Sequence, residues 1–336
     1  MRKLRVGVIG GGWIGTQHLI NYQKSEEVDI ISFADKSQPI RKRIERIFGI
    51  KEVYEDFLDL IQKSSIDALS ICLPNFLHEK AAILASEQNL HTLIEKPMGR
   101  NTKEAVNIMN SAKKAGIKFM VGYHFRFSKK YNAVKELLDR RELGEIRSCN
   151  AQYFYGGPFS SPTAAPAEWK FDRKLAGGGV LIDSGCHMID LLNWFFGEMK
   201  SLEFTHLDFQ YSDSIEDYAL LVLKYNKCMA ILQVAFYPFV YSDRVEIYSD
   251  VNSVSSEDLE YPRKTSHYLK HSLRNLSRRC IRKKPISLDP YYFEIKHFVR
   301  CILDDTPPLI SYNDGLNVLK VIEKAYDFSR TSQIIK

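Results

Sequence analysis

The chain has 336 residues, 45% of them hydrophobic and 26% charged, which is ordinary for a globular protein of two domains. No window approaches eighteen apolar residues, so no transmembrane helix is expected, and Met1–Leu4 run into a strand-like stretch without the apolar core or cleavage site of a signal peptide. The net charge of +6 is local: residues 263–284 carry nine Lys or Arg and no acid, leaving the rest at −3, so nucleic acid is not an expected partner. The six cysteines (Cys72, Cys149, Cys186, Cys228, Cys280, Cys301) are scattered without a Cys-x-x-Cys pair. They predict reduced, packed thiols and a cytoplasmic location.

In chain order, Leu4–Ile9, Asp29–Ala34, Ala68–Leu73, His91–Glu95 and Phe119–Gly122 are short apolar runs. Such runs fit strands of a parallel sheet covered on both faces. Helical patterns separate them. Pro39 suits a first turn and Gly49 the end of the same helix, while Thr102 can cap a helix that closes at Gly116. The alternation predicts a doubly wound α/β Rossmann domain over residues 1–125. From Arg147 the strands lengthen and alternate: Ser148–Tyr155, Leu202–Tyr211, Tyr218–Tyr225, Met229–Tyr237 and Val245–Ser249, with a turn at Asn226-Lys227. One helix, Leu181–Phe196, interrupts them, and two more, Tyr291–Leu303 and Asp314–Arg330, finish the chain. This predicts an α+β domain over 126–336 with a large, mostly antiparallel open sheet, its last helices able to pack back on the first domain. Open sheets of this kind can pair face to face, which predicts a homodimer or homotetramer.

After the first strand comes Gly10-Gly11-Gly12-Trp13-Ile14-Gly15, which fits G-x-G-x-x-G at Gly10, Gly12 and Gly15. The first glycine allows the tight turn, the second lets a pyrophosphate approach the backbone, and the third lets helix and strand pack closely. The helix N-terminus then offers free N–H groups to phosphate. Asp35 ends the second strand, twenty residues after Gly15. A carboxylate there accepts from ribose hydroxyls and repels a 2′-phosphate, which favours NAD. Lys36, Arg41 and Lys42 lie close in sequence and leave NADP open.

Two segments end strands at the carboxyl edge of that sheet, where ligands bind in this fold: Leu73-Pro74-Asn75-Phe76-Leu77-His78 and Glu95-Lys96-Pro97. In the second domain Gly177-Gly178-Gly179 leads to Asp183, His187 and Asp190; at helical spacing these last three share a face. A metal at His187 with Asp183 or Asp190 lacks a third ligand at a suggestive spacing, so no metal site is read.

These blocks, with the run from Asp314 to Tyr326, resemble the Gfo/Idh/MocA oxidoreductases, the family of glucose–fructose oxidoreductase and inositol dehydrogenase, over nearly the whole chain. The resemblance implies cofactor contacts from Gly10, Gly12, Trp13, Ile14, Gly15, Asp35, Leu73, Pro74, Asn75, His78, Glu95 and Lys96. It implies a catalytic set of Lys96, Asp183 and His187: Lys96 on the reacting hydroxyl and the nicotinamide ribose, His187 as proton acceptor, Asp183 on a neighbouring hydroxyl or orienting His187. Alcohol oxidation must shed a proton near neutral pH, where imidazole titrates, and a lysine cation stabilises a developing alkoxide. His124, Arg126 and Trp169 complete the implied substrate contacts, Trp169 by stacking on a sugar face. Two positions depart from the family pattern: Leu73 replaces a common Thr, and His124 the Asn of an Asn-x-Arg-Phe pattern.

The implied function is an NAD(P)-dependent oxidoreductase acting on a sugar, sugar acid, nucleotide-linked sugar or cyclitol. A non-catalytic NAD-sensing regulator on the same fold is the competing reading. Leu269, Leu273, Leu276 and Cys280 form one stripe of a basic amphipathic helix within 263–284. That segment reads as a packed surface helix, a flap that favours an anionic substrate, or a contact with an anionic membrane surface.

Overall fold

The computed structural model describes residues 3–159, 168–237, 240–260 and 289–334; the basic segment 263–284 lies outside the described residues. The first sheet is β1 (Leu4–Ile9), β2 (Val28–Ala34), β3 (Glu52–Tyr54), β4 (Ala68–Ile71), β5 (His91–Glu95) and β6 (Phe119–Gly122). Its strands are all parallel, in the order β3-β2-β1-β4-β5-β6. This is the doubly wound dinucleotide-binding order, whose direction reverses at β1 and β4. The crossovers are α1 (Trp13–Gln23), α2 (Gln38–Phe48), α3 (Phe57–Lys63), α4 (Asn75–Glu87) and α5 (Thr102–Ala115). Val6, Val8, Leu69, Ile71, Leu93 and Ile94 are fully buried, which is why these strands are apolar throughout rather than alternating.

The local endings follow the expected chemistry. Helix α2 carries Pro39 in its first turn and stops at Gly49 with φ 68°, and α5 stops at Gly116 with φ 64°. The α5 cap differs from expectation: Asn101, not Thr102, accepts from the Glu104 N–H. Asn101 stands one residue earlier and its carboxamide reaches the third helical N–H.

After α6 (Lys129–Asp139), the second sheet comprises β7 (Ile146–Tyr155), β8 (Ser201–Asp208), β9 (Tyr218–Lys224), β10 (Met229–Phe236), β11 (Ser242–Ser249) and β12 (Ser253–Ser255). Its order is β12-β11-β7-β10-β9-β8. All neighbours are antiparallel except the central pair β7 and β10, which run parallel. One face is covered by α8 (Cys186–Phe196), which follows the short α7 (Arg173–Ala176). Helix α9 (Ser256–Glu260) packs on α6. On the other face Phe204, Ile231 and Tyr248 stay 39–45% exposed, as an open sheet requires.

The last helices, α10 (Pro290–Leu303) and α11 (Tyr312–Ile334), return to the first unit: α10 packs on α1, and α11 on α5 and β6. The helical run Arg173–Phe196 is long and apolar enough to cross a membrane by composition, but 83% of its apolar window is buried inside the fold. It is the central helix of the second unit's core. The five described cysteines are unpaired.

Candidate active site

The cofactor loop is shaped by contact distances. Gly10 has φ 92°, and a Cβ on it would lie 2.2 Å from the Cys72 carbonyl oxygen; one on Gly15 would lie 1.8 Å from the Gly10 carbonyl oxygen. Side chains at these two positions would drive β1, α1 and the end of β4 apart. A Cβ on Gly12 would meet nothing within 4 Å, so the space over it is open. Helix α1 begins there with no side-chain cap and no acid in its first turn. Its free N–H groups and positive dipole end suit a phosphate, and the residues present fit a dinucleotide. Asp35 is held in place by the Gly11 and Ser37 N–H groups, both at 2.7 Å. Two cations near it are engaged: Arg41 donates to the Asp35 and Lys36 carbonyls at 2.7 and 2.9 Å, and Arg43 to the Gly11 carbonyl at 3.1 Å. Trp13 is 66% exposed beside this loop, edge-on to Tyr291 of α10 at 5.7 Å.

The ends of β4 and β5 are tied together by His78. Its ring nitrogens sit 2.8 Å from the Pro97 and Leu73 carbonyls, and burial lowers its proton affinity below that of an ordinary imidazole. It is a buried brace between two loops. Asn75 is likewise engaged: its amide donates to the Ala176 carbonyl at 2.7 Å and joins the first unit to the second. Glu95 is buried and turned from the cleft, its Oε1 3.0 Å from His18 Nε2.

Lys96 crosses the cleft between the units. Its ammonium donates to the Asp183 carbonyl at 2.6 Å and reaches the Asp183 carboxylate at 3.4 Å. Asp183 lies in a π-helical turn, Leu181–Gly185, that leads directly into α8. Such turns place one extra residue in a helix and are frequent at functional sites. The buried Glu216 carboxylate fixes the start of this turn by accepting from the Gly179 and Leu181 N–H groups at 2.9 and 3.1 Å, and Tyr326 of α11 donates to it at 2.8 Å. Gly179 is needed because a Cβ there would lie 2.0 Å from the Glu216 carbonyl oxygen.

Two residues that the sequence reading passed over complete the surroundings of Asp183. The Tyr155 hydroxyl donates to Oδ2, and the Lys170 ammonium lies 3.4 Å from Oδ1. Burial alone would raise the proton affinity of Asp183, but Lys170, Lys96 and Tyr155 outweigh it and hold the carboxyl well below the usual range. Burial opposes the Lys96 charge too, yet Asp183 keeps that ammonium above its ordinary value. Two lysines facing one aspartate leave this end of the cleft positive. Trp169, half-buried, lines the cleft with Asp183 and packs edge-on to Phe76 at 6.4 Å.

His187 follows one turn after Asp183. It is 3% exposed and its Nδ1 is buried without a partner among the described residues. It stacks on Phe125 at 4.7 Å and meets His124 edge-on at 4.8 Å. Burial and the nearby Lys96 charge hold its proton affinity well below the ordinary imidazole value, so it is neutral at neutral pH. His124, stacked on Tyr291 at 4.2 Å, is pushed down to about 3, chiefly by burial. Asp190, one turn further along α8, faces elsewhere. It accepts from Arg126 at 2.7 and 2.8 Å, and Arg126 also donates to Asp314 at 2.9 Å. Arg126 is 4% exposed. A buried guanidinium requires paired carboxylates, which Asp190 and Asp314 supply.

The description "oxidoreductase family, NAD-binding Rossmann fold" matches residues 4–123, and the C-terminal domain of the same GFO/IDH/MocA family matches residues 131–254. The chain is 22% identical to a myo-inositol 2-dehydrogenase of Thermotoga maritima over 328 residues, 93% of this chain and 92% of that one. It is 28% identical to a levoglucosan dehydrogenase of Pseudarthrobacter phenanthrenivorans over 213 residues, 60% of this chain but only 53% of that one. A solved levoglucosan dehydrogenase in complex with NADH and L-sorbose superposes with a TM-score of 0.84 at 20% identity, covering 98% of each chain. The two matched regions are the two walls of the cleft that Lys96 and Asp183 bridge, and the chain belongs to the GFO/IDH/MocA oxidoreductase family.

Proposed function

We propose that the protein is a dehydrogenase or reductase that moves hydride between a nicotinamide cofactor and a hydroxyl-bearing or keto carbon of a sugar, sugar acid, nucleotide-linked sugar or cyclitol. The observation that carries this reading is the Lys96–Asp183 contact across the cleft, with a neutral, unpaired His187 one turn further on. Bound nicotinamide supplies the two-electron acceptor or donor. Gly10, Gly12, Gly15 and the α1 N-terminus hold its pyrophosphate, and Asp35 the adenosine ribose, which favours NAD over NADP. Lys96 polarises the reacting oxygen and stabilises the alkoxide that develops on it. His187 takes the hydroxyl proton in oxidation and returns it in reduction. Asp183, held ionised, orients Lys96 and accepts from a neighbouring hydroxyl, and Lys170 and Trp169 border the same substrate.

The relatives named for inositol and levoglucosan support a polyhydroxylated ring as the substrate class. The apolar side chains on the open face of the second sheet support self-association as a dimer or tetramer, which sedimentation velocity would detect.

The test is a spectroscopic screen for nicotinamide reduction across polyols, sugars, sugar acids, nucleotide sugars and cyclitols, with NAD binding measured in parallel by calorimetry. Reduction with a member of one class is expected. NAD binding without reduction or oxidation of any member would turn the reading to the non-catalytic regulator.

A further inference from the structure

Behind the reaction centre three buried side chains converge that hydride transfer does not call for. His18 lies in α1, Glu95 ends β5 and Glu294 is in α10; they are 0%, 5% and 0% exposed. One polar atom from each lies within 4.8 Å of the other two. His18 Nδ1 is 3.1 Å from Ser70 Oγ, which is 2.8 Å from the Tyr22 hydroxyl, and His18 Nε2 is 3.0 Å from Glu95 Oε1. The Nε2–H of His18 donates to the Glu95 carboxylate, and Ser70 links Nδ1 to the Tyr22 hydroxyl. Glu95 Oε2 also accepts from the Lys96 N–H at 3.3 Å. Glu95 is thus held by protein groups: burial opposes its charge, but the His18 bond together with His18, His124 and Lys96 nearby outweighs burial and holds it below the ordinary range.

Glu294 is different. Both of its oxygens are buried without a partner among the described residues. An ionised carboxylate there would give up its hydration for nothing. The charges that act on it are carboxylates, Glu95 on β5, Asp289 at the start of its own helix and Asp190 on α8; His18 and Tyr22 of α1, Cys72 after β4 and Tyr291, which stacks on His124, border the same space.

We propose that Glu294 carries a proton beside the Glu95 carboxylate, and that this uncharged carboxyl seats α10 against the cofactor helix. Burial, then the Glu95 charge, raise Glu294 well above an ordinary carboxyl, in keeping with that assignment. The same helix brings Tyr291 onto His124 at 4.2 Å and edge-on to Trp13 at 5.7 Å, and His124 packs against His187. Glu294 is thus a positioning residue. Its proton keeps α10, and with it one wall of the reaction centre, in place. Loss of the proton sets a second anion beside Glu95 and loosens that seat.

The sign follows from the raised folded-state value. The site's stability is complete below the ordinary carboxyl range, near pH 4, and is lost as pH rises toward the folded-state value. A glutamine at this position mimics the protonated carboxyl at every pH.

The experiment compares the full-length wild type with Glu294→Gln, without added ligand. Infrared difference spectra in H2O and D2O should show a protonated-carboxyl band in the wild type that moves on deuteration and is missing from the variant. The thermal midpoint of the variant should gain on the wild type by at least about 3 °C as pH rises from about 5 to about 8. Should the variant fail to fold, Glu294→Asp replaces it, and the wild-type band must then move in frequency; a band that stays put belongs to another buried carboxyl and overturns the proposal. Absence of that band overturns the proposal. So does a stoichiometric divalent metal that a chelator removes with a fall in midpoint, since the same three ligands would then be holding a cation.

Discussion

At the residue scale the cleft is organised by one carboxylate between two ammonium groups. Asp183 is the member whose charge the site depends on most, because Lys96 and Lys170 both point at it. Its folded-state proton affinity is depressed, so its contribution to stability is present above the ordinary carboxylate range and is lost as pH falls below it. Asp183→Asn should therefore be less stable than wild type at about pH 7, with the gap closing toward about pH 3, as urea midpoints at the two pH values will show. A pH-independent gap would mean that the carboxylate's charge is not what holds the two lysines. In the cofactor loop, Gly12→Val would place a branched side chain in the open space above Gly12. NAD affinity should drop at least about tenfold in calorimetry, roughly the loss of one good contact, while Asp35→Ser should shift preference toward NADP. The Gly-x-Gly-x-x-Gly spacing made this loop legible in the sequence, because Gly10 and Gly15 answer backbone distances that any side chain would violate and Gly12 leaves the space above it open. Lys170 and Tyr155 were not legible. A lone lysine and a strand-end tyrosine carry no spacing signal, and only the meeting of three elements at Asp183 gives them a role.

At the scale of elements, the π turn and α8 do two jobs on different faces. The turn presents Asp183 to the cleft, while Asp190 on α8 is buried against Arg126 and Asp314. Burial raises the Asp190 carboxyl to about 6 even though Arg126 opposes the shift. Removing the guanidinium would leave Asp190 buried and unpaired. Arg126→Ala should cost about 3–5 kcal/mol in urea unfolding, and a loss below about 1 kcal/mol would show that the triad is solvated. The spacing of Asp183, His187 and Asp190 was correct in sequence as one helical stretch, but a regular 3.6-residue helix would put all three on one face. The extra residue of the π turn and the demand of Arg126 divide them. Strand β3 is three residues long, too short to show a period, and was missed for that reason; so was the parallel pairing of β7 with β10, which no local pattern encodes. Glu216 and Glu294 are single acids in otherwise unremarkable contexts, and their roles come from burial that only the packed chain creates.

At the scale of the molecule, two units meet along a cleft whose walls come from distant parts of the chain. The strand–helix alternation and the later alternating strands allowed both units to be read from sequence. The return of α10 and α11 onto the first unit ties cleft geometry to the end of the chain, so the cleft does not depend on the Lys96–Asp183 contact alone. This arrangement predicts that substitutions at the reacting residues act on chemistry without dismantling the fold.

The most direct test of the central claim, that Lys96 and His187 carry the reaction, is turnover of Lys96→Ala and His187→Ala on the best substrate from the screen, with NAD affinity measured on the same preparations. Each kcat should fall by at least about a hundredfold, the low end for losing a charge-stabilising or acid–base group, while NAD affinity in His187→Ala stays within about threefold of wild type. Near-normal turnover in His187→Ala with unchanged NAD binding would contradict the assignment and move the proton-accepting role to Lys96 or to water.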